Sequence, residues 1–250
     1  MDATGRVMFR RSTSGLTVLA HSFGILSLIL LLFWLLHYRG GLNLESDISE
    51  RIFNVHPFMM FFGLIFLSGE GMMAYKTIAA EKPVQKFIHM LLHLIAICMG
   101  IIGIHAVLKF HNKENIEDFY SLHSWVGIAT FSIFLLQWLV GFVLFMFPKA
   151  SPGTRARALP WHICGGRALL YMAISSALTG LMEKATLLGD KYHSNQARTI
   201  NFLGLSILLF GIFVDFPLWR RGTTLGHLSV GTNEGAKGAA LSANQNVTEE

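Results

Sequence analysis

Four histidines recur along the chain at intervals that match one membrane-spanning helix plus a short loop. They are His56, His89, His123 and His162, at spacings of 33, 34 and 39 residues, and each lies about one turn inside a long apolar stretch. Such a side chain must find a partner, because an ionisable group in lipid costs on the order of 2 kcal/mol or more. Successive helices run in opposite directions, so the pattern predicts two levels, with His56 and His123 at one and His89 and His162 at the other.

Two imidazoles at one level suit an iron porphyrin, whose two faces are capped from opposite sides. Zinc would gather its ligands within about 2 Å of one point, whereas these histidines occupy two levels. The sequence contains no Cys-x-x-Cys-His motif, which excludes covalent haem attachment. Small residues must then admit the flat macrocycle, and the candidates near the histidines are Gly63, Gly127, Gly165 and Gly166.

Two further polar groups lie inside the predicted helices, and each leaves two interpretations open. His93 follows His89 by four residues and shares its helix face; it is the alternative inner ligand, or it hydrogen-bonds a haem edge or another helix. Glu70 lies 14 residues after His56, close to four helical turns, and so points into the bundle. Its carboxyl either orients the inner haem or its histidine, or makes a hydrogen bond between helices.

Other histidines are less informative. His21 and His37 lie near the two ends of the first predicted helix, with no partner at the same depth, and we interpret them as structural or interfacial. His105 and His111 lie at the far end of the third predicted helix. By position, His111 could line a mouth near the outer histidine pair, whereas the role of His105 stays open.

The elements that carry these residues are long apolar helices. The chain has 250 residues, of which 52% are hydrophobic and only 14% charged, a composition typical of membrane proteins. A helix of about 20 apolar residues spans a bilayer core of about 30 Å. Six stretches qualify: 15–37, 54–76, 86–108, 122–147, 160–182 and 199–219.

The sequence therefore predicts an all-α membrane protein with one domain over 1–222. Its helices 2 to 5 carry the four histidines, and facing helices of a bundle are where cofactor sites are built, so we expect these four to form a four-helix bundle. Residues 223–250 are rich in Gly, Ser, Ala and Asn and predict a disordered tail.

Charge in the loops predicts the orientation. With six spans both termini lie on one side, and that side carries eleven Lys and Arg residues near the membrane, against seven on the other side, which also holds most of the acidic loop residues. Cytosolic loops carry the excess of positive charge, so we expect both termini and the tail in the cytosol. The net charge of +5 comes from residues flanking the spans, and no basic patch with interleaved aromatic residues indicates nucleic-acid binding.

Several short motifs carry a family resemblance. "YSLHSW" around His123 is followed by "QWLVGF" at 137–142 and "FP" at 147–148, and "KFIHMLLH" at 86–93 and "RARALPWH" at 155–162 fit as well. Over roughly residues 50–220 the chain resembles the eukaryotic cytochrome b561 proteins, which are transmembrane ascorbate-dependent reductases. "MAYK" at 73–76 resembles a motif at the cytosolic end of the second helix that usually ends in Arg, so that Lys76 is a mild departure.

The resemblance implies two non-covalent haem b groups, the outer one bound by His56 and His123 and the inner one by His89 and His162. It implies ascorbate as the cytosolic electron donor, and monodehydroascorbate or a ferric chelate as the acceptor on the opposite side. It also implies a homodimer. Carried over residue by residue, the cytosolic ascorbate site would use Lys82, Lys86 and Arg155, and the outer site His111 and Tyr120, with Lys76, Glu70 and His93 in the surroundings of the cofactors.

Transmembrane electron transfer is the leading hypothesis, and two alternatives remain. One is a di-haem membrane anchor that passes electrons to quinone or to a soluble partner subunit. The other is a proton or metal-ion transporter that uses the histidines as a relay. No motif identifies the acceptor or chooses between an endomembrane, such as that of a vacuole or vesicle, and the plasma membrane.

Overall fold

The structure is a computed structural model that describes residues 15–188 and 194–216. Those residues form six helices and contain no strand. The predicted tail at 223–250 lies outside the described residues. The helices are α1 Gly15–Tyr38, α2 Ser49–Thr77, α3 Lys82–Glu114, α4 Leu122–Phe145, α5 Pro152–Thr186 and α6 Asn195–Phe216.

Each helix overlaps one of the six stretches expected from the sequence, with different bounds at most ends. Residues 217–219 of the last stretch lie outside the described residues. Five of the helices, all except α5, are long and apolar enough to cross a membrane by length and composition. α5 differs because Pro160, His162, two adjacent glycines and Arg167 interrupt its apolar residues. The all-helical class and a multi-pass membrane protein follow from these five helices.

Helices α2 to α5 contact one another in a closed order. α2 packs against α3, α3 against α4, α4 against α5, and α5 returns to the middle of α2. α1 and α6 pack together outside this ring, where the Ser27 hydroxyl donates to the Ser206 hydroxyl at 2.9 Å and the rings of Phe23 and Phe213 stack at 5.4 Å. The four histidines therefore lie on the four helices that form the ring.

The outer surface of the helices is strongly apolar. Ile29, Leu36, Leu136 and Phe202 are all more than half exposed, on three different helices. Soluble monomers rarely expose so many large apolar side chains together. A surface of this kind is expected of helices that face hydrocarbon.

α2 is irregular in its middle. Pro57 lies inside the helix and lacks the N–H that a regular turn requires, and Phe61–Leu67 form a π-helix. A π-turn holds one more residue than an α-turn, so it rotates the second half of α2 relative to the first. Both halves consequently face α3, through His56 in the first half and Gly71 in the second.

Local hydrogen bonds fix where α4 and α5 begin. Ser121 and Ser124 form a capping box, in which each side chain bonds the other's backbone N–H, and this satisfies donors that a helix start leaves unpaired. α4 therefore begins at Leu122, which puts His123 in its first turn. Ser151 caps α5 in the same way through the N–H of Thr154.

Candidate functional site

The structure brings the four histidines together in the two pairs expected from their depth. The ring centres of His56 and His123 lie 6.0 Å apart with their planes at 89°. Those of His89 and His162 lie 6.2 Å apart with their planes at 66°. Each pair joins two helices of the ring, α2 with α4 and α3 with α5.

The spacing within each pair fits one metal ion between two imidazoles. A metal–imidazole bond is about 2.0–2.1 Å long and the ring centre lies about 1.2 Å beyond the nitrogen, so two opposed axial imidazoles have centres about 6.4 Å apart. The observed 6.0 and 6.2 Å agree with that value to within a few tenths of an ångström. Within the described parts of the chain, no group of three or more His, Cys, Asp or Glu residues could hold a metal ion.

Backbone carbonyls set the tautomer of three of these histidines. A carbonyl oxygen only accepts, so the Nδ1 that contacts it must carry the proton, and a neutral ring then keeps the lone pair of Nε2 for a metal. The three bonds run from His56 to Gly103 at 3.0 Å, from His89 to Gly71 at 2.9 Å and from His123 to Ser176 at 2.8 Å.

The fourth histidine is held through its backbone and its ring. The side-chain amide of Gln137 donates to the backbone oxygen of His162 at 2.7 Å. The ring of Phe145 packs against the His162 ring at 5.3 Å between centres. Both contacts come from α4 and fix the turn of α5 that follows Pro160.

The two pairs lie far apart along the helix axes. His56 bonds α3 at Gly103, which is 14 residues beyond His89 on the same helix. His123 bonds α5 at Ser176, which is 14 residues beyond His162. At 1.5 Å per residue both intervals correspond to about 21 Å, so the pairs occupy two separate levels.

Glycines make room beside the histidine rings, but they are not the glycines expected from the sequence. A Cβ atom at Gly180 would lie 2.8 Å from Cε1 of His123, and one at Gly141 would lie 3.0 Å from Cε1 of His162. Both glycines belong to the helix that faces the histidine, where the missing Cβ leaves space for the ring. The four expected glycines instead adjoin other groups: Gly63 packs on Ala96 and Met99, Gly127 on Ser176, and Gly165 and Gly166 on Gln137.

His93 lies beside the inner pair and bonds its own helix. Its Nδ1 donates to the backbone oxygen of His89 at 2.7 Å, and its ring stacks on Phe134 with centres 5.7 Å apart. The ring that faces His162 is that of His89. His93 is thus a neighbour of the inner pair in this arrangement.

Glu70 makes the hydrogen bond between helices that the sequence left as one of two interpretations. Its Oε1 lies 2.8 Å from Nδ1 of His21 on α1. The expectation that His21 has no partner at its depth is therefore wrong, because α1 packs against the second half of α2 and brings its first turns level with Glu70. His37, at the other end of α1, stacks on Phe33 at 5.0 Å.

Basic residues gather at the inner end of the ring. The Nζ of Lys86 donates to the backbone oxygen of Phe145 at 3.3 Å, and Phe145 packs on His162. The charges of Arg155 and Lys149 both act on Lys86. Lys86 and Arg155, which the family resemblance indicates, therefore lie together next to the inner pair, and Lys149 joins them.

Two other residues indicated by the resemblance flank this cluster. Lys82 is exposed in the first turn of α3, one turn before Lys86. Lys76 lies in the last turn of α2, where a positive charge favours the helix dipole. Its neighbour Tyr75, in the same "MAYK" motif, packs its ring 5.6 Å from that of His89.

The outer end carries an aromatic series that leads from solvent to the outer pair. Tyr120 is 64% exposed, and its ring lies 6.4 Å from that of His111. The ring centre of Phe110 lies 5.9 Å from that of His111 and 5.1 Å from that of Phe53. The ring centre of Phe53 in turn lies 6.2 Å from that of His56. His111 is oriented by Asp118, whose Oδ1 lies 2.7 Å from its Nδ1.

An ion pair fastens the outer loop to the end of α3. Lys109 bonds Glu45 at 2.8 Å, and Lys113 donates to the backbone oxygen of Asp47 at 2.6 Å. The hydrogen bond from Lys109 and its positive charge lower the pKa of Glu45. The loop before α2 is therefore held against the helix that bears His111.

Sequence reasoning missed several positioning residues that belong to motifs it had already singled out. Gln137 and Gly141 lie in "QWLVGF" and contact the turn around His162. Trp138, in the same motif, donates its indole N–H to the backbone oxygen of Met90 at 3.1 Å. The motif was the signal that could have found them, but only the packing of α4 on α3 and α5 gives each residue its partner.

Comparison with known proteins gives consistent matches. The sequence profile described as eukaryotic cytochrome b561 matches residues 55–188, which include all four histidines. Transmembrane ascorbate ferrireductase 1 of Arabidopsis thaliana is 42% identical over 209 residues, 82% of this chain and 87% of the relative.

Relatives from two other organisms agree. Probable ascorbate-specific transmembrane electron transporter 1 of Oryza sativa subsp. japonica is 42% identical over 203 residues, covering 79% of this chain and 86% of the relative. Transmembrane ascorbate-dependent reductase CYB561 of Sus scrofa is 42% identical over 191 residues, 75% of each chain.

Proposed function

The chain belongs to the eukaryotic cytochrome b561 family, and on that basis we propose that it is a transmembrane ascorbate-dependent oxidoreductase. It takes single electrons from ascorbate at its cytosolic end and delivers them to monodehydroascorbate or a ferric chelate at its outer end. The observation that carries this proposal is the presence of two histidine pairs, each with its two imidazoles close enough that they would hold one iron between them, at levels about 21 Å apart.

Two non-covalent haem b groups are the cofactors that these pairs suit. His56 and His123 would hold the outer one, and His89 and His162 the inner one, each through Nε2. When bound, such groups supply one-electron chemistry, while the protein supplies their position and surroundings. The carbonyls that bond three of the Nδ1 atoms keep these rings oriented and raise their strength as ligands.

The proposed topology has six spans with both termini in the cytosol, and α5 is its fifth span. The charged residues of α5 favour this assignment, because Arg155 and Arg157 lie near one end and Glu183 and Lys184 near the other. Arg167 is the charged residue that remains between them. Helices α2 to α5 then form the four-helix bundle around the cofactors.

Ascorbate is proposed to bind at the inner basic cluster. It is an anion at neutral pH, and Lys82, Lys86 and Arg155 offer positive charge beside the inner pair. The Nε of Arg155 is buried and has no hydrogen-bond partner in the described structure, so a donor is available there for an anionic oxygen. Lys149 adds a fourth positive charge, which acts on the Lys86 ammonium.

The acceptor is proposed to bind at the outer end, near His111 and Tyr120. Asp118 accepts the Nδ1–H of His111 and thereby holds its ring in one orientation. Tyr120 is exposed to solvent, and its hydroxyl is a group that can hydrogen-bond an incoming molecule. The aromatic series through Phe110 and Phe53 connects this position to His56.

The test is the absorption spectrum of the detergent-purified full-length protein, before and after ascorbate is added, with haem counted as the pyridine haemochrome. We expect two b haems per chain, reduced by ascorbate without any partner protein. The double variants His56→Ala/His123→Ala and His89→Ala/His162→Ala should each retain one haem.

The remaining outcomes separate the alternatives. A colourless protein would contradict the proposal and favour the transporter. Haem that ascorbate does not reduce would favour a di-haem anchor that receives electrons from quinone or a partner subunit. The homodimer and the membrane in which the protein resides stay predictions from the resemblance.

A further inference from the structure

One face of α5 points at the outer histidine pair and ends in a lysine. The backbone oxygen of Ser176 accepts from His123, and a Cβ at Gly180 would touch the His123 ring. Residues four apart lie on one helix face, so Ser176, Gly180 and Lys184 form a single row. Lys184 is the last of the three and lies one turn beyond Gly180, on the outer side of the pair.

Aromatic rings hold the Lys184 ammonium in this position. Its Nζ lies 3.9 Å from the ring centre of Phe53 and 5.8 Å from that of Phe110, which is the range of a cation–π interaction. Phe53 itself lies 6.2 Å from His56 between ring centres. The charge is therefore attached to the same aromatic series that connects the outer pair to solvent.

Among the residues that the structure describes, no carboxylate pairs with the Lys184 ammonium. Arg39 adds a second positive charge that acts on it, and the adjacent Glu183 acts in the opposite sense. Arg39 is already paired with Glu50. The Lys184 ammonium is therefore a half-buried positive charge that could attract an anionic oxygen.

We propose that Lys184 is a charge-selecting residue of the outer site, whose ammonium binds an anionic oxygen beside the His56–His123 pair. The inference rests on the proposed function and identifies the class of group that the outer site favours. In each transfer ascorbate loses one electron and the acceptor gains one. Lys184 takes no part in that exchange and only attracts and positions the anion.

The anionic oxygen can come from two sources. One is a free anionic acceptor, such as monodehydroascorbate or a ferric complex with negative ligands. The other is a propionate carboxylate of the outer haem. The shared chemistry is an oxygen anion bound by an ammonium, and the two sources differ in what changes when the charge is removed.

The experiment uses the full-length protein in liposomes with trapped ascorbate and two membrane-impermeant acceptors outside. Ferricyanide is a trivalent anion, and hexaammineruthenium(III) is a trivalent cation. The variants are Lys184→Met, which removes the charge and keeps the length, and Lys184→Arg, which keeps the charge. Arg198→Met is the matched control, because Arg198 is an exposed cation at the start of α6, on the same side in the proposed topology.

At low ionic strength we expect Lys184→Met to slow ferricyanide reduction about fivefold and leave hexaammineruthenium reduction unchanged or faster, since a local charge steers oppositely charged reactants. Salt should shrink the difference. Lys184→Arg should resemble the wild type. With unchanged haem content and midpoint potentials, this result identifies the free acceptor as the source of the anion.

A second outcome is that Lys184→Met lowers the midpoint potential of one haem, or its retention, and slows the reduction of both acceptors equally. In that case the bound anion is the propionate. The inference is overturned if Lys184→Met matches Arg198→Met in acceptor selectivity, potentials and haem content while the wild type is active. A wild-type protein that lacks haem, or whose haem ascorbate does not reduce, overturns the proposed function and this inference with it.

Discussion

At the scale of single residues, the site depends on how closely neighbouring helices approach the histidine rings. Gly180 on α5 touches His123, since an added Cβ would lie 2.8 Å from its Cε1. Gly153, in the first turn of the same helix, has nothing within 4 Å of the equivalent position. An alanine variant at each glycine therefore separates two effects. Gly180→Ala adds a methyl group against the His123 ring, whereas Gly153→Ala changes only the helix propensity.

We predict that Gly180→Ala displaces the His123 ring and lowers haem content from two toward one per chain. Gly153→Ala should keep both haems and stabilise the helix by up to about 0.5–1 kcal/mol, since alanine restricts the unfolded chain more than glycine does. The pyridine haemochrome and thermal unfolding measure both quantities. Equal haem content in the two variants would contradict the role given to Gly180.

The inner basic cluster makes a second residue-scale prediction. Arg155 and Arg157 are two residues apart on α5 and so point to nearly opposite sides of the helix; Arg155 is near Lys86, whereas Arg157 is exposed. Arg155→Met should raise the KM for ascorbate about three- to tenfold, with little change at saturating ascorbate, because it removes a charge that binds the anion. Arg157→Met should leave the KM near the wild-type value.

Initial rates of haem reduction against ascorbate concentration provide this measurement. An equal rise in KM for both variants would mean that these arginines contribute only general positive charge flanking a span, which is the ordinary role of basic residues at a cytosolic helix end.

The spacing of the histidines was enough to predict the residues that meet in each pair, because helix direction alternates along the chain. It could not predict that Lys149 joins Lys86 or that His21 meets Glu70. Those contacts join residues 63 and 49 positions apart, and they depend on which helix packs on which side of α2 and α3. No local pattern encodes that choice.

At the scale of helices, the start of α4 determines the position of His123. Ser121 and Ser124 form the capping box, and His123 lies in the turn that the box closes. Loss of an N-cap costs about 1 kcal/mol, and the first turn should fray as a result. Ser175 is a suitable control, since its hydroxyl bonds only the backbone oxygen of Tyr171 in its own helix.

We predict that Ser121→Ala weakens binding of the outer haem and lowers the unfolding temperature, whereas Ser175→Ala changes neither. Retention of each haem during detergent washing, followed by the absorption spectrum, is the measurement. If Ser121→Ala keeps both haems as firmly as Ser175→Ala does, the capping box does not control the position of His123.

The length of each apolar stretch was enough to predict a helix there, but not where the helix begins or where it departs from α-helical geometry. The sequence placed the second helix at 54–76, whereas α2 begins at Ser49 and contains a π-helix at Phe61–Leu67. Hydrophobic periodicity carries no signal for a π-turn. Packing of both halves of α2 on α3 accounts for it, because His56 and Gly71 both bond that helix.

At the scale of the whole molecule, the ring of α2 to α5 carries all four histidines, and α1 and α6 pack against it from one side. A polar contact that joins α1 to the ring is the bond between His21 and Glu70. From the sequence alone, Glu70 has two possible roles, to orient the inner cofactor or its histidine, or to join two helices. The structure contains the second contact, so the two roles now make different predictions.

We predict that Glu70→Gln, His21→Ala and the double variant form a cycle with a coupling energy of about 1–2 kcal/mol in stability, the contribution of a hydrogen bond between partly buried groups, one of them charged. Haem content, midpoint potentials and reduction by ascorbate should stay at wild-type values, because neither side chain touches a histidine of the two pairs in the described structure. Thermal unfolding gives the coupling, and the spectrum gives the cofactor state. A midpoint potential of the inner haem that shifts in Glu70→Gln but not in His21→Ala would contradict this prediction and assign Glu70 to the surroundings of the inner cofactor.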